Sequence, residues 1–327
     1  MTHAEFSLLI FCDQLQMADI AAWWEPLRAA ALAPHAEAPP LPPGVDRGFV
    51  DRFARAVEVV RLALHVYRPH ELALSFNGGK DCTAVLHLVR YVLHADGHDT
   101  AATGGEGLLQ TPLRVVFFAP PRDGANKGDG ARFPEEEAFM AETAARYSFV
   151  LREEPGGART GLAALVEAGV RAIFMGTRAS DPHGAGLDAF TPTSLSWPPA
   201  VRVCPVLGWE YADVWTFLRG AGLPACPLYA RGFTSLGSAA VSRPNPALAL
   251  APTAGGDSSS SVGSSAGSGD ASGTGTPTHR PAWELDDGSL ERSARADATA
   301  AHHPPAAGTP PAVPLDVKSK GALVPRM

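Results

Sequence analysis

The residues best suited to chemistry stand close together in Ser75-Phe76-Asn77-Gly78-Gly79-Lys80-Asp81-Cys82. Adjacent glycines let backbone N–H groups approach an anion closely, and a helix that begins there leaves its first N–H groups without partners. Lys80 adds a positive charge at the same point, so the stretch suits a phosphate at a helix N-terminus. Asp81 is the odd member. A carboxylate beside a phosphate repels it unless it faces a bound Mg²⁺, and the other reading is a helix cap in an ordinary Asn-Gly-Gly turn. The stretch is not a Gly-x-x-x-x-Gly-Lys-Ser/Thr loop, because Asp81 follows Lys80 and Leu74 stands where the first glycine would be.

Three further groups could serve the same chemistry. In Met175-Gly176-Thr177-Arg178-Ala179-Ser180-Asp181-Pro182-His183, Arg178 can hold a phosphate bidentately and Asp181 can hold a metal, or the two can simply pair across the turn. Trp197, next to the rigid Pro198-Pro199, could pack on a flat heteroaromatic ring, with Arg202 at that ring's polar edge or phosphate; a tryptophan is also a frequent core residue. Arg292 and Arg295 stand three apart, which on a short helix puts both guanidinium groups on one face fit to clasp an anion. The same face could instead be solvated and paired with Glu291.

The elements around these residues alternate. Phe53, Val57, Val60, Leu64 and Tyr67 recur at helical spacing up to Pro69, Leu72 to Phe76 is a short apolar strand, and Val85, Leu86, Leu88, Val89 and Val92 resume helical spacing. Strands are expected at Arg114 to Ala119, Tyr147 to Leu151 and Ala172 to Met175, and helices from Phe133, near Leu162 to Ala168, and over Glu210 to Arg219. Strands separated by helices imply an α/β fold with a mostly parallel sheet and crossovers. The expected organisation is an N-terminal arm and Pro-rich linker over 1–45, a catalytic domain over 46–250, a disordered Ser/Gly linker over 251–279, an arginine-bearing segment over 280–296 and a low-complexity tail over 297–327.

Composition narrows the class. With 327 residues, 45% hydrophobic, the chain can bury one core of about 200 residues. A net charge of −7 argues against a partner of duplex nucleic acid. Cys12, Cys82, Cys204 and Cys226 have neither disulfide-framework nor zinc spacing, no run has membrane-spanning length, and no signal peptide is evident, so a cytoplasmic location is expected.

Four segments in the same order, Ser75 to Cys82, Ile173 to His183, Trp197 to Gly237 and Pro281 to Arg295, resemble the eukaryotic FAD synthase family, in the phosphoadenylylsulfate-reductase-like group. The resemblance implies a Rossmann-like adenine-nucleotide α-hydrolase-like fold and the reaction FMN + MgATP → FAD + pyrophosphate, with FMN and ATP as small-molecule partners and Mg²⁺ as the metal. It implies that Ser75, Phe76, Asn77, Gly78, Gly79, Lys80, Gly176 and Arg178 line ATP and that Asp81 and Asp181 hold the metal. Trp197, Arg202, Arg292 and Arg295 then meet FMN, and Asn77, Asp81, Arg178, Asp181 and Arg292 act on the reacting groups. Apo-flavoproteins are the protein partners such a product suggests. The family's Tyr-Asp-x-Gly-Tyr-Thr reads Tyr229-Ala230-Arg231-Gly232-Phe233-Thr234 here, which removes an acid at 230. A sulfonucleotide reductase of the same fold would need a reactive C-terminal cysteine, yet none follows Cys226; a non-catalytic flavin or nucleotide module is the third reading.

Overall fold

The computed structural model describes residues 20–30, 41–42, 44–96, 114–120, 131–250 and 278–295. The Ser/Gly linker and the tail expected from the sequence fall outside them, apart from Thr278 and His279.

Six strands form one sheet: β1 (Leu72–Ser75), β2 (Arg114–Phe118), β3 (Leu151–Glu154), β4 (Ala172–Phe174), β5 (Phe190–Pro192) and β6 (Val201–Val203), in the order β3-β2-β1-β4-β6-β5. All neighbouring pairs are parallel except β5 with β6. Leu72, Ala73 and Leu74 of β1 and all of β4 are buried, as strands covered on both faces must be. The helices are α1 (20–30), α2 (Arg47–Val66), α3 (Lys80–Ala95), α4 (Pro134–Arg146), α5 (Gly157–Glu167) and α6 (Tyr211–Gly220).

The chain leaves β1 outward to β2 and β3, then returns through α5 to β4 on the other side of β1. This reversal is the position at which open α/β sheets hold ligands, beyond the carboxyl ends of the strands. The residues following β1 and β4, 76–80 and 175–181, are therefore placed side by side.

One expectation changes. Tyr147 caps α4 and Ser148 turns with φ 52°, so β3 begins only at Leu151; its exposed Arg152 and Glu153 suit the edge position beside β2. The N-terminal helix α1 packs on the core. Ile20, Trp24 and Leu27 are buried, and Trp24 lies 4.1 Å from the ring of Phe53 in α2.

Candidate active site

The β1–α3 turn is set by its own hydrogen bonds. Gly78 has φ 77°, a conformation that side chains strain against, and Asn77 Oδ1 accepts from Gly79 N at 3.0 Å and from Cys82 Sγ at 2.9 Å. Thr83 Oγ1 donates back to Gly79 O at 2.8 Å. Lys80 N, at the helix start, donates to the buried Tyr229 hydroxyl at 2.8 Å. Phe76 turns its side chain into the core, edge-on to Phe149, so it offers only its backbone to the loop. Gly176, just beyond β4, lies so close to α3 that a Cβ there would meet Cys82 N at 2.6 Å. A side chain at 176 would push the two loops apart.

Between these loops lies a buried charge cluster. Lys80 and Arg178 are 2% and 1% exposed, and both are neutralised by carboxylates. Lys80 Nζ meets Asp81 Oδ2 at 3.0 Å, Arg178 Nε meets Asp81 Oδ1 at 2.8 Å, and Arg178 Nη2 stands 3.6 Å from Asp181 Oδ1. Asp181 Oδ2 also accepts from Arg178 N at 2.8 Å, which fixes the turn. Glu291 binds both cations at once, Oε1 to Lys80 and Oε2 to Arg178. Burial disfavours the Arg178 charge, but Asp81 and Glu291 more than offset it and its pKa is raised. Asp181 is likewise raised, chiefly by burial, with the Arg178 backbone N–H opposing.

The sequence offers Arg292 and Arg295 as one face of a helix and does not single out Glu291. The structure forms only a 3₁₀ turn at Gly288–Leu290 followed by further turns, and it is Glu291 that enters the cluster. Its carbonyl accepts from Thr234 Oγ1 at 2.6 Å, and Asn245 Nδ2 donates to Leu290 O at 2.8 Å. Arg295 Nη1 donates to Leu236 O at 2.9 Å with its guanidinium over Gly237, so it anchors the segment, while Arg292 is half-buried. The signal available in the sequence was the acid itself, embedded between Leu290 and Arg292 in a segment that resumes folded character.

Trp197 and Arg202 stand apart. Trp197 is 40% exposed in the turn after β5, and Arg202 lies on β6, in register with Ile173 and donating to Pro192 O at 3.3 Å. Neither has a hydrogen bond or ion pair to the cluster among the described residues. Ser75 ends β1, beside Val116 of β2.

Among the described residues no three His, Cys, Asp or Glu side chains are arranged to hold a metal alone. Asp81 and Asp181 keep 22% and 24% of their side chains exposed, which leaves two carboxylates open to solvent; Mg²⁺ binds through one or two carboxylates and completes its shell with water and substrate phosphates. Cys82 is pushed up to about 12 by burial, and Cys204 and Cys226 are raised by the same cause, so none is a poised thiolate.

The phosphoadenosine phosphosulfate reductase domain family matches residues 158–244. A probable FAD synthase of Schizosaccharomyces pombe is 31% identical over 250 residues, covering 76% of this chain and 80% of that protein. A probable FAD synthase of Caenorhabditis elegans is 37% identical over 207 residues, 62% of this chain, and the match spans only 36% of that longer protein. The crystal structure of Candida glabrata FMN adenylyltransferase in complex with FAD and inorganic pyrophosphate superposes with a TM-score of 0.59 at 25% identity, covering 88% of this chain and 97% of that one. A mostly parallel sheet with a glycine loop and a charge cluster at its reversal point, together with the domain match over 158–244, defines an α/β protein with a phosphoadenosine phosphosulfate reductase-like domain. Within that class, the extent of the match to the fission-yeast protein is decisive: the chain belongs to the FAD synthase family.

Proposed function

We propose that the chain is an FMN adenylyltransferase that makes FAD and pyrophosphate from FMN and ATP. The observation that carries this reading is the convergence of the 76–81 loop, Arg178, Asp181 and the 278–295 segment at the sheet's reversal point, in a family whose Candida glabrata member was crystallised with ATP, and with FMN and an ATP analogue. A phosphate oxygen of FMN attacks the α-phosphorus of ATP, the bond from that phosphorus to the α–β bridging oxygen breaks, and pyrophosphate departs with the electron pair. No protein nucleophile is required, so the chain's task is to position the two substrates in line and offset charge.

The residues divide this task by their burial. The turn at Gly78 and Gly79 lets the backbone at the start of α3 approach an anion closely, and half-buried Arg292 is a cation open to a phosphate. Lys80 and Arg178, held by carboxylates, fix Asp81, Asp181 and Glu291 in place. When bound, Mg²⁺ on Asp81 and Asp181 supplies charge neutralisation of the phosphates. Trp197 and Arg202 serve the flavin, which requires FMN to extend from the cluster toward the β5–β6 edge. No described helix is long and apolar enough to cross a membrane. The free thiols Cys82, Cys204 and Cys226 fit a reducing, cytoplasmic setting.

Incubating the purified chain with FMN, ATP and Mg²⁺ and separating flavins by chromatography is expected to yield FAD with one pyrophosphate per turnover. Binding of both substrates without FAD formation would overturn the assignment and leave a binding module.

A further inference from the structure

Glu136, in the first turn of α4, has no part in the reaction as assigned, yet it walls the glycine loop. A Cβ at Gly78 would lie 3.0 Å from Met140 Cγ and 3.4 Å from Glu136 Cγ, so these two side chains are what the positive-φ glycine leans on. Glu136 is 5% exposed, and its Oε2 is buried without a hydrogen-bond partner. A carboxyl group in that state is cheap to keep when neutral and costly when charged.

Its charged neighbours do not rescue the ionised form. Arg132 is engaged by Glu137 at 3.2 Å and lies 4.2 Å over the Phe117 ring, and Arg295 is bonded to the Leu236 carbonyl. On the adjoining 227–231 turn, Arg231 is taken by Glu135, and Cys226 is a neutral thiol. On the loop side Lys80 and Asp81 pair with each other, and on β3 Arg152 pairs with Glu154. Burial therefore dominates, with Arg132, the Phe133 backbone and Arg295 opposing and Glu137 adding to it, and the Glu136 carboxyl is pushed up to about 7.

We propose that Glu136 couples nucleotide binding to proton uptake: the Gly78 loop takes the triphosphate tightly only when the carboxyl behind it is neutral. This rests on the nucleotide reading above and adds a residue that sets the pH range in which the loop works. A bound anion beside the carboxyl raises its proton affinity further, and by linkage the proton raises the anion's affinity by the same factor.

The test is calorimetric titration of the full chain with MgATP at pH 6.5, 7.5 and 8.5, each in two buffers of different ionisation enthalpy, for wild type, Glu136→Gln and Glu136→Leu. Wild type is expected to take up about half a proton more than either variant at pH 7.5. Its affinity is expected to fall about tenfold more steeply between pH 6.5 and 8.5 than theirs, as like charges a few ångströms apart imply. Equal proton uptake and parallel pH profiles, with MgATP bound in all three, would overturn the coupling. If neither variant folds, the wild type's uptake beyond that carried by MgATP itself decides, and none would overturn it. Failure of wild type to bind MgATP at any pH would remove the nucleotide reading, and this coupling with it.

Discussion

Asp81 is the residue on which the two buried cations converge, since Lys80 and Arg178 each meet one of its oxygens. Replacing it by alanine would leave two buried positive charges short of a partner and confuse folding with function. Asp81→Asn keeps the shape and removes the charge. FAD formation by this variant is expected to fall by about a hundredfold or more, the size of effect seen when one charge-stabilising group is lost from an active site. Thermal unfolding run alongside separates this from instability, and near wild-type turnover would take Asp81 out of the metal role. Glu136 makes the opposite case, a buried carboxyl group with one oxygen left unpartnered. Its proton affinity is raised by folding, so the stability it contributes is complete below its ordinary carboxylate range and is lost as pH rises through about 7. Glu136→Gln should match wild type at pH 4.5 and be more stable at pH 8.5 by up to about 3 kcal/mol, read as the pH dependence of the difference in unfolding free energy.

The elements show what periodicity can and cannot reveal. The apolar spacing of α2 and α3 and the buried runs of β1 and β4 are legible because one or both faces must be covered, and that requirement is written in residue types. β3 was misplaced because an edge strand needs few apolar residues, and Leu-Arg-Glu-Glu carries no alternation that a local reading would favour. Glu291 in the 280–295 segment is not legible for a related reason. Its anchors, Thr234, Asn245 and Leu236, are distant in sequence, so nothing local distinguished the buried Glu291 from the arginines beside it. The glycine loop and the Arg178 turn are legible as neighbouring charged loops, but Lys80 and Arg178 are neutralised internally by carboxylates. Glu291→Gln tests this directly. Removing one partner from a buried ionic cluster is expected to cost about 3 kcal/mol in unfolding free energy, whereas an unchanged melting temperature would mean the contact contributes nothing.

At the scale of the molecule, a segment needed at the site is separated from the core by residues 251–277, and the geometry of the junction indicates what that separation costs. The chain ends on either side are neighbours: Leu250 N donates to Thr278 O at 2.9 Å and Arg280 N to Leu248 O at 2.7 Å, around the antiparallel bridge of Ala249 with His279. The two ends thus stand side by side, and joining such ends costs entropy that grows only logarithmically with the number of residues between them. Replacing 251–277 by a four-residue Gly/Asn turn should leave FAD formation within about twofold of wild type, because the anchors of Glu291 and Arg295, namely Thr234, Asn245 and Leu236, lie outside 251–277. The shorter loop should also raise unfolding free energy by about 1–2 kcal/mol. A strong loss of turnover with stability retained would instead give those residues a part in catalysis, which a connection between two adjacent ends does not require.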